Sequence, residues 1–243
     1  MSDSNQVTSY EVDEQGVAML RLERPKSRNA INTQMLVELL EHLAVARSDA
    51  AVRVLVFSSS DHLGFSAGAD VREELDAEGG VRRMQLFADL YDAIVGFPKP
   101  TVAACHGDVV GGGAEISIAC DMRVGGSNLR MRFPGAALGV PVGPARLVTL
   151  CGLGAAKYLL LSSRTVGADE ALRIGLVNRV APASATETSA MELASAVAAH
   201  PPNAVARLKR MLHEWDDVEG RSATEGAGQV EWARAGSGLP FAE

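Results

Sequence analysis

The stretch GDVVGGGAEISIACD, residues 107 to 121, decides how the rest of the chain is read. Three consecutive glycines, Gly111 to Gly113, open an apolar helical run, and a single carboxylate, Glu115, stands in its first turn. A glycine inside a helix costs about 1 kcal/mol relative to alanine, so three together need a compensating reason. Close approach of the main chain to a ligand supplies one. A second stretch of small residues, FSAGAD (65 to 70), also leads into a helix. Main-chain N–H groups at helix starts lack intrahelical partners and carry the positive end of the dipole. Two such groups converging on one point make an oxyanion hole, which stabilises a developing enolate. Glu115 is then placed to move a proton at the carbon beside that carbonyl. The competing role for Glu115 is service to the helix dipole or to a capping box, but Gly112, three residues earlier, has no side chain for the box.

The 243 residues suffice for one large domain or two modest ones, and 47% apolar with 22% charged residues is an ordinary globular balance. A net charge of −7 argues against a nucleic-acid or anionic-membrane partner, which would require a basic face. Basic residues do cluster locally in ERPKSRNAIN (23 to 32), where Arg24, Lys26 and Arg28 could meet a small anion or simply form a solvated turn. Cys105, Cys120 and Cys151 lack CxxC spacing and read as reduced thiols. No unbroken apolar run reaches the roughly 18 residues of a membrane span, and MSDSNQVTS has no signal-peptide character. The expected location is cytoplasmic, with no membrane partner.

Outward from the glycine stretch, strand, loop and helix recur in one order. TSYEVDE and VAMLRLE flank Gln15-Gly16 as a hairpin, and Asn32 or Thr33 caps a helix whose Met35, Leu36, Leu39, Leu40 and Leu43 share a face. VRVLVFS (52 to 58) is a buried strand, 81 to 96 a helix, TVAAC a strand, HGDVVGGG a loop, and DMRVGG and LRMRF strands. From about residue 144 the pattern is helical, clearest in ADEALRIG and NAVARLKRMLHEW, while the tail GAGQVEWARAGSGLPFAE is either loose or docked. The whole is one layered α/β core followed by helices.

Other chemistries fit poorly. No Gly-Lys-Ser/Thr follows Gly113, GLGAAK (152 to 157) lacks the third dinucleotide glycine, and the five histidines form neither HExxH nor a Cys-His array, so no metal site is expected. FSAGAD is not the GxSxG elbow that a Ser66–His106 hydrolase would require, and His106 reads as a structural residue ahead of the Gly107 turn.

At these residues the chain resembles the crotonase, or enoyl-CoA hydratase/isomerase, superfamily. The likeness runs through RPKSRNAIN, FSAGADV, GDVVGGGAEISIACDMRV, LGVPVGPARL and ADEALRIGLVNRV in the family's order, over nearly the whole chain. It implies an α/β spiral of ββα turns (1–190) carrying the acyl-CoA site, then a C-terminal helical trimerisation region (191–243), in a homotrimer or a hexamer built as a dimer of trimers. It implies an acyl-CoA substrate, with coenzyme A belonging to the substrate and no separate cofactor. The enolate would be held by the N–H groups of Ala67 and Gly112, with Glu115 as acid/base. Arg28, Ala30, Ser66, Gly68, Ala69, Asp70, Gly111 and Gly135 would line the substrate path, and Lys209 would meet the CoA phosphates. The departure from the pattern is Gly135. Hydratases of the family carry a second glutamate in a segment resembling F-x-x-P-E-x-x-x-G, where this chain has MRFPGAALG, and the aspartate of some isomerase and dehalogenase relatives is matched only by Val140, Pro141, Val142 and Gly143. One carboxylate suffices to shuttle a proton between two carbons, whereas addition of water normally recruits two. Isomerase-type proton shuttling is therefore the expectation, beside a decarboxylase, a thioester hydrolase or a non-catalytic acyl-CoA-binding protein.

Overall fold

The computed structural model describes residues 6–236. The hairpin forms as β1 (Thr8–Val12) and β2 (Val17–Leu22), antiparallel from Thr8 opposite Leu22 to Val12 opposite Ala18. The Asp13 carboxylate accepts from the N–H groups of Gln15 and Val17 and so fixes the turn. Helix α1 (Thr33–Ser48) starts at Asn32, whose side chain accepts from Met35 N at 3.0 Å, and it buries Met35, Leu36, Leu39 and Leu43.

Strands β3 (Val54–Ser59) and β4 (Thr101–Cys105), separated by α2 (Ala77–Val95), extend the sheet in parallel. Helix α2 begins four residues before the expected 81. Asp76 caps it by accepting from Gly79 N at 2.7 Å, and this offsets the weak propensity of Gly79-Gly80. Next come β5 (Asp108–Val110), the glycine helix α3 (Gly112–Ala119), β6 (Met122–Gly126) and β7 (Arg130–Arg132). The segment expected as a plain loop, HGDVVGGG, thus contains a strand. Strand β5 pairs with β7, which is antiparallel to β8 (Thr165–Gly167), giving a small second sheet. The larger sheet runs β1-β2-β3-β4-β6-β9, closing on β9 (Arg179–Ala181). Both β8 and β9 fall where the sequence reads helical, because three residues are too few to show a period of two.

The remaining helices are α4 (Gly135–Leu138), α5 (Pro144–Ser162), α6 (Ala168–Arg173), α7 (Thr186–Ala198), α8 (Pro202–Asp216) and α9 (Val218–Arg234). Parallel strands are buried on both faces, and here the faces divide cleanly. Ala18, Leu20, Leu55, Phe57 and Ala103 face the main core with α1, α2 and α3, whereas Val17, Met19, Val54, Val56 and Val102 face Ala190, Ala194 and Ala198 of α7. The expected 190/191 boundary falls inside α7. Much of the tail is helical and docked, since α9 runs to Arg234 and buries Gln229 and Val230; the rest of it, 237–243, lies outside the described residues. Helix α5 is long and apolar enough to cross a membrane by length and composition. It is broken at Gly152 (φ 76°, ψ 161°), and its Arg146 is 2% exposed and ion-paired inside the core.

Candidate active site

The three glycines meet three separate demands. Gly111, the residue before α3, has φ 49° and ψ −119°, a conformation that side-chain-bearing residues avoid. A Cβ on Gly112 would lie 2.9 Å from the Phe87 ring, and one on Gly113 would lie 2.5 Å from Ser66 Cβ. Gly113 thus lets the 65 to 70 loop lie directly on α3. That contact consumes Ser66, whose hydroxyl is buried, donates to Asn29 O at 2.7 Å and accepts from Gly68 N at 3.1 Å. Ser66, expected on the substrate path, does not line the cavity, and its hydroxyl is taken up by these two bonds. His106 bonds through Nε2 to Asp61 O at 2.7 Å.

Beside this junction lies a cavity of about 300 Å³. Ala67, Gly68, Ala69, Gly111, Gly112 and Glu115 form one side, and Gly135, Ala137, Leu138, Val140 and Val142 another, with Met84, Phe87, Tyr91, Phe133 and Gln229 completing it. The hydrogen bonds distinguish the two N–H groups of the expected donor pair. Ala67 donates its N–H to Arg28 O at 3.0 Å, so it is not open to a ligand. Ala69 stands in a parallel bridge with Ile31, in which Ile31 N bonds Gly68 O (2.8 Å) and Asp70 N bonds Ile31 O (2.9 Å). In such a bridge the neighbouring peptides make the bonds and the central N–H points away. Among the described residues the N–H groups of Ala69 and Gly112 have no acceptor, and both residues line the cavity.

A second cleft of about 610 Å³ adjoins the cavity at Ala67 and Ala69 and is lined by Arg24, Lys26, Arg28, Ala30, Asn32 and Asp70. Asp70 pairs with Arg24 at 2.8 Å, and Arg28 pairs with Asp108. These pairs hold the two loops in place and leave Lys26 without an ion pair among the described residues. Lys209 lies apart. Its ammonium bonds the Asp121 carboxylate (2.8 Å) and Lys99 O (3.1 Å), and it lines a separate cavity beneath α8 with Ile118, Cys120 and Leu212. Within one chain Lys209, expected at the CoA phosphates, lines neither the cavity nor the adjoining cleft.

Glu115 is 1% exposed and is the only carboxylate among the described residues that line the cavity. Burial pushes its pKa up to about 7, with Arg146 opposing and Glu225 adding to the rise. Arg146 Nη2 donates to Glu115 Oε2 (2.9 Å) and to Glu225 Oε1 (2.6 Å), and its guanidinium stacks 4.8 Å from the Tyr91 ring centre. Glu225, from α9, also accepts from Gly143 N (3.0 Å) and Ala145 N (2.7 Å), capping α5. The second carboxylate near Glu115 is therefore committed to the helix start and lies outside the cavity wall. Sequence reasoning passed over Arg146, Glu225 and Tyr91. The available signal was Arg146 itself, one of only two charges with Lys157 in an apolar helix, which must find a partner once buried. Gly135 does line the cavity, and a Cβ there would sit 2.7 Å from Val140 O, so a glutamate does not fit without a backbone shift.

A buried carboxyl pushed up toward neutrality, beside unpaired main-chain donors in an otherwise apolar cavity, is an arrangement suited to moving a proton next to a carbonyl. The comparisons name the class. A model of the enoyl-CoA hydratase/isomerase family matches residues 12–227, and the chain belongs to that family. The short-chain-enoyl-CoA hydratase of Clostridium acetobutylicum is 34% identical over 202 residues, covering 81% of this chain and 77% of that one. The 2,3-dehydroadipyl-CoA hydratase of Escherichia coli is 33% identical, covering 84% and 81%. Among solved structures, an enoyl-CoA hydratase/isomerase from Xanthobacter autotrophicus is 26% identical and superposes with a TM-score of 0.86 over 97% of this chain and 90% of that one. The chain is thus an α/β crotonase-type enzyme.

Proposed function

We propose that the protein moves a proton within an enoyl-CoA thioester through an enolate, with Glu115 as the sole acid/base. Coenzyme A lies along the Arg24–Asp70 cleft, with Lys26 free to meet phosphate, and the acyl group enters the adjoining cavity. The thioester oxygen accepts from the N–H groups of Ala69 and Gly112. Glu115 takes the α-proton of a 3-enoyl thioester, the charge moves onto that oxygen, and the same carboxyl, its proton exchanging with water, delivers a proton at the γ-carbon to give the 2-enoyl product. A pKa near neutrality suits both directions of transfer. The observation that carries this reading is the lone carboxylate: Gly135 offers no second group to share the activation of water. The test is to supply a short 3-enoyl-CoA and the matching 2-enoyl-CoA and follow isomerisation and hydration together. Isomerisation faster than hydration is expected, and efficient hydration without isomerisation would overturn the preference.

We also propose that the protein assembles as a trimer or hexamer. Leu208, Leu212 and Trp215 on α8 and Leu153 and Leu161 on α5 are exposed in the single chain, more large apolar surface than isolated side chains account for. Light scattering that shows a monomer at micromolar concentration would refute this.

A further inference from the structure

The cavity wall carries one polar side chain that neither the fold nor the proton-transfer chemistry uses. Gln229, on α9, is 3% exposed and lines the cavity. Its Nε2 has only the Met84 thioether as a partner, at 3.6 Å, and its buried Oε1 has no hydrogen-bond partner. A buried acceptor left open costs stability that a leucine at this position would not. Around it the wall is apolar, with Met84, Phe87, Val140 and Val142. A pocket shaped only for an alkyl chain has no use for the amide. Tyr91 stands on the α2 face that also presents Met84 and Phe87, and its hydroxyl likewise has no partner among the described residues.

We infer that Gln229, assisted by Tyr91, selects acyl groups that carry a hydroxyl, so that the preferred substrates are hydroxyacyl thioesters rather than plain alkyl ones. A hydroxyl donates to Gln229 Oε1 and can accept from Tyr91, which satisfies both open groups. A carboxylate has no proton for Oε1 and would require the Gln229 amide to reverse, giving up the Nε2 contact to the Met84 thioether. The cation beside Tyr91, Arg146, is already shared between Glu115 and Glu225. The inference rests on the acyl-CoA reading above and deepens it.

Binding of saturated thioesters, which do not turn over, separates the two claims. Isothermal titration would compare butanoyl-CoA with 4-hydroxybutanoyl-CoA, and hexanoyl-CoA with 6-hydroxyhexanoyl-CoA, on the wild type, Gln229→Leu, Gln229→Met and Tyr91→Phe. The wild type should bind the hydroxylated member of at least one pair about tenfold more tightly, as expected for one buried hydrogen bond. Gln229→Leu or Gln229→Met should abolish or reverse that preference while still binding the plain thioester, and Tyr91→Phe should reduce it. Equal binding within both pairs by the wild type would overturn the inference and leave the acyl-CoA reading intact, since a fixed water then serves Gln229. A preference that survives both Gln229 variants would also overturn it. Failure of every thioester to bind would overturn both readings.

Discussion

Replacing Arg146 with methionine probes the electrostatics on which Glu115 depends. The arginine bridges two carboxylates, 2.9 Å from Glu115 and 2.6 Å from Glu225, and the three side chains are at most 10% exposed. Methionine keeps much of the aliphatic stem but removes the charge and the guanidinium that stacks on Tyr91. Breaking a buried pair by deleting one partner costs about 3–5 kcal/mol, a large part of the roughly 5–15 kcal/mol that holds a domain folded. The loss should depend on pH. Glu115 already has a folded pKa raised from 4.5 to about 7 by burial, so the folded state binds its proton more tightly than the unfolded state does. Its contribution to stability is therefore full at low pH and falls as pH rises through that window. Without Arg146 the carboxyl pKa moves higher still and the window extends to alkaline pH. Urea unfolding at pH 5.5 and 8.5 should show a clearly larger loss at pH 8.5, where the Glu115 carboxyl must ionise without its cation. The acid limb of the pH–turnover profile should move to higher pH by a unit or more, each unit being about 1.4 kcal/mol. An equal loss at both pH values, with an unmoved acid limb, would refute the argument.

Other substitutions test the supporting structure. Ser66→Ala leaves Asn29 O and Gly68 N without their buried partner and should lower stability by about 1–3 kcal/mol; thermal unfolding indistinguishable from wild type would contradict the structural role. Lys209→Met should lower the melting temperature at neutral pH, because it strips the ammonium from Asp121, yet leave acyl-CoA affinity unchanged. Burial alone would raise the Asp121 carboxyl, but Lys209 and His213 hold it below its usual range, so the stability difference should shrink as acid protonates it. A weakened thioester affinity at constant stability would return Lys209 to the binding path. Asn32→Ala removes the α1 cap and should cost about 1 kcal/mol by chemical denaturation, with no measurable cost refuting the cap.

The parts of this molecule that sequence discloses are those fixed by local rules. The hairpin at Gly16, the Asn32 cap and the alternating apolar strands follow from period and turn chemistry, and Glu115 stood out because a carboxylate next to three glycines fits no ordinary helix start. What stayed hidden depends on chain segments far apart. Which N–H of the 65 to 70 loop is open, that of Ala67 or Ala69, is set by pairing with Arg28 and Ile31, some 38 residues away. Arg146 and Glu225 are 79 residues apart, and nothing in the local pattern of α9 announces that its glutamate caps α5. Gln229 sits in a weakly patterned tail, and only the docking of α9 against α2 turns it toward the cavity.

The central claim is that Glu115 alone carries the proton, and solvent deuterium exchange tests it most directly. A 3-enoyl-CoA thioester would be incubated in heavy water with the wild type and with Glu115→Gln, and deuterium in the acyl chain read by mass spectrometry. The glutamine preserves the shape of the carboxyl but holds no titrating proton. The wild type should incorporate deuterium at the α- and γ-carbons with an acid limb near pH 7. The folded variant should lose at least the roughly 10²-fold that a positioned acid/base contributes. Exchange that persists at the wild-type rate in Glu115→Gln would contradict the account.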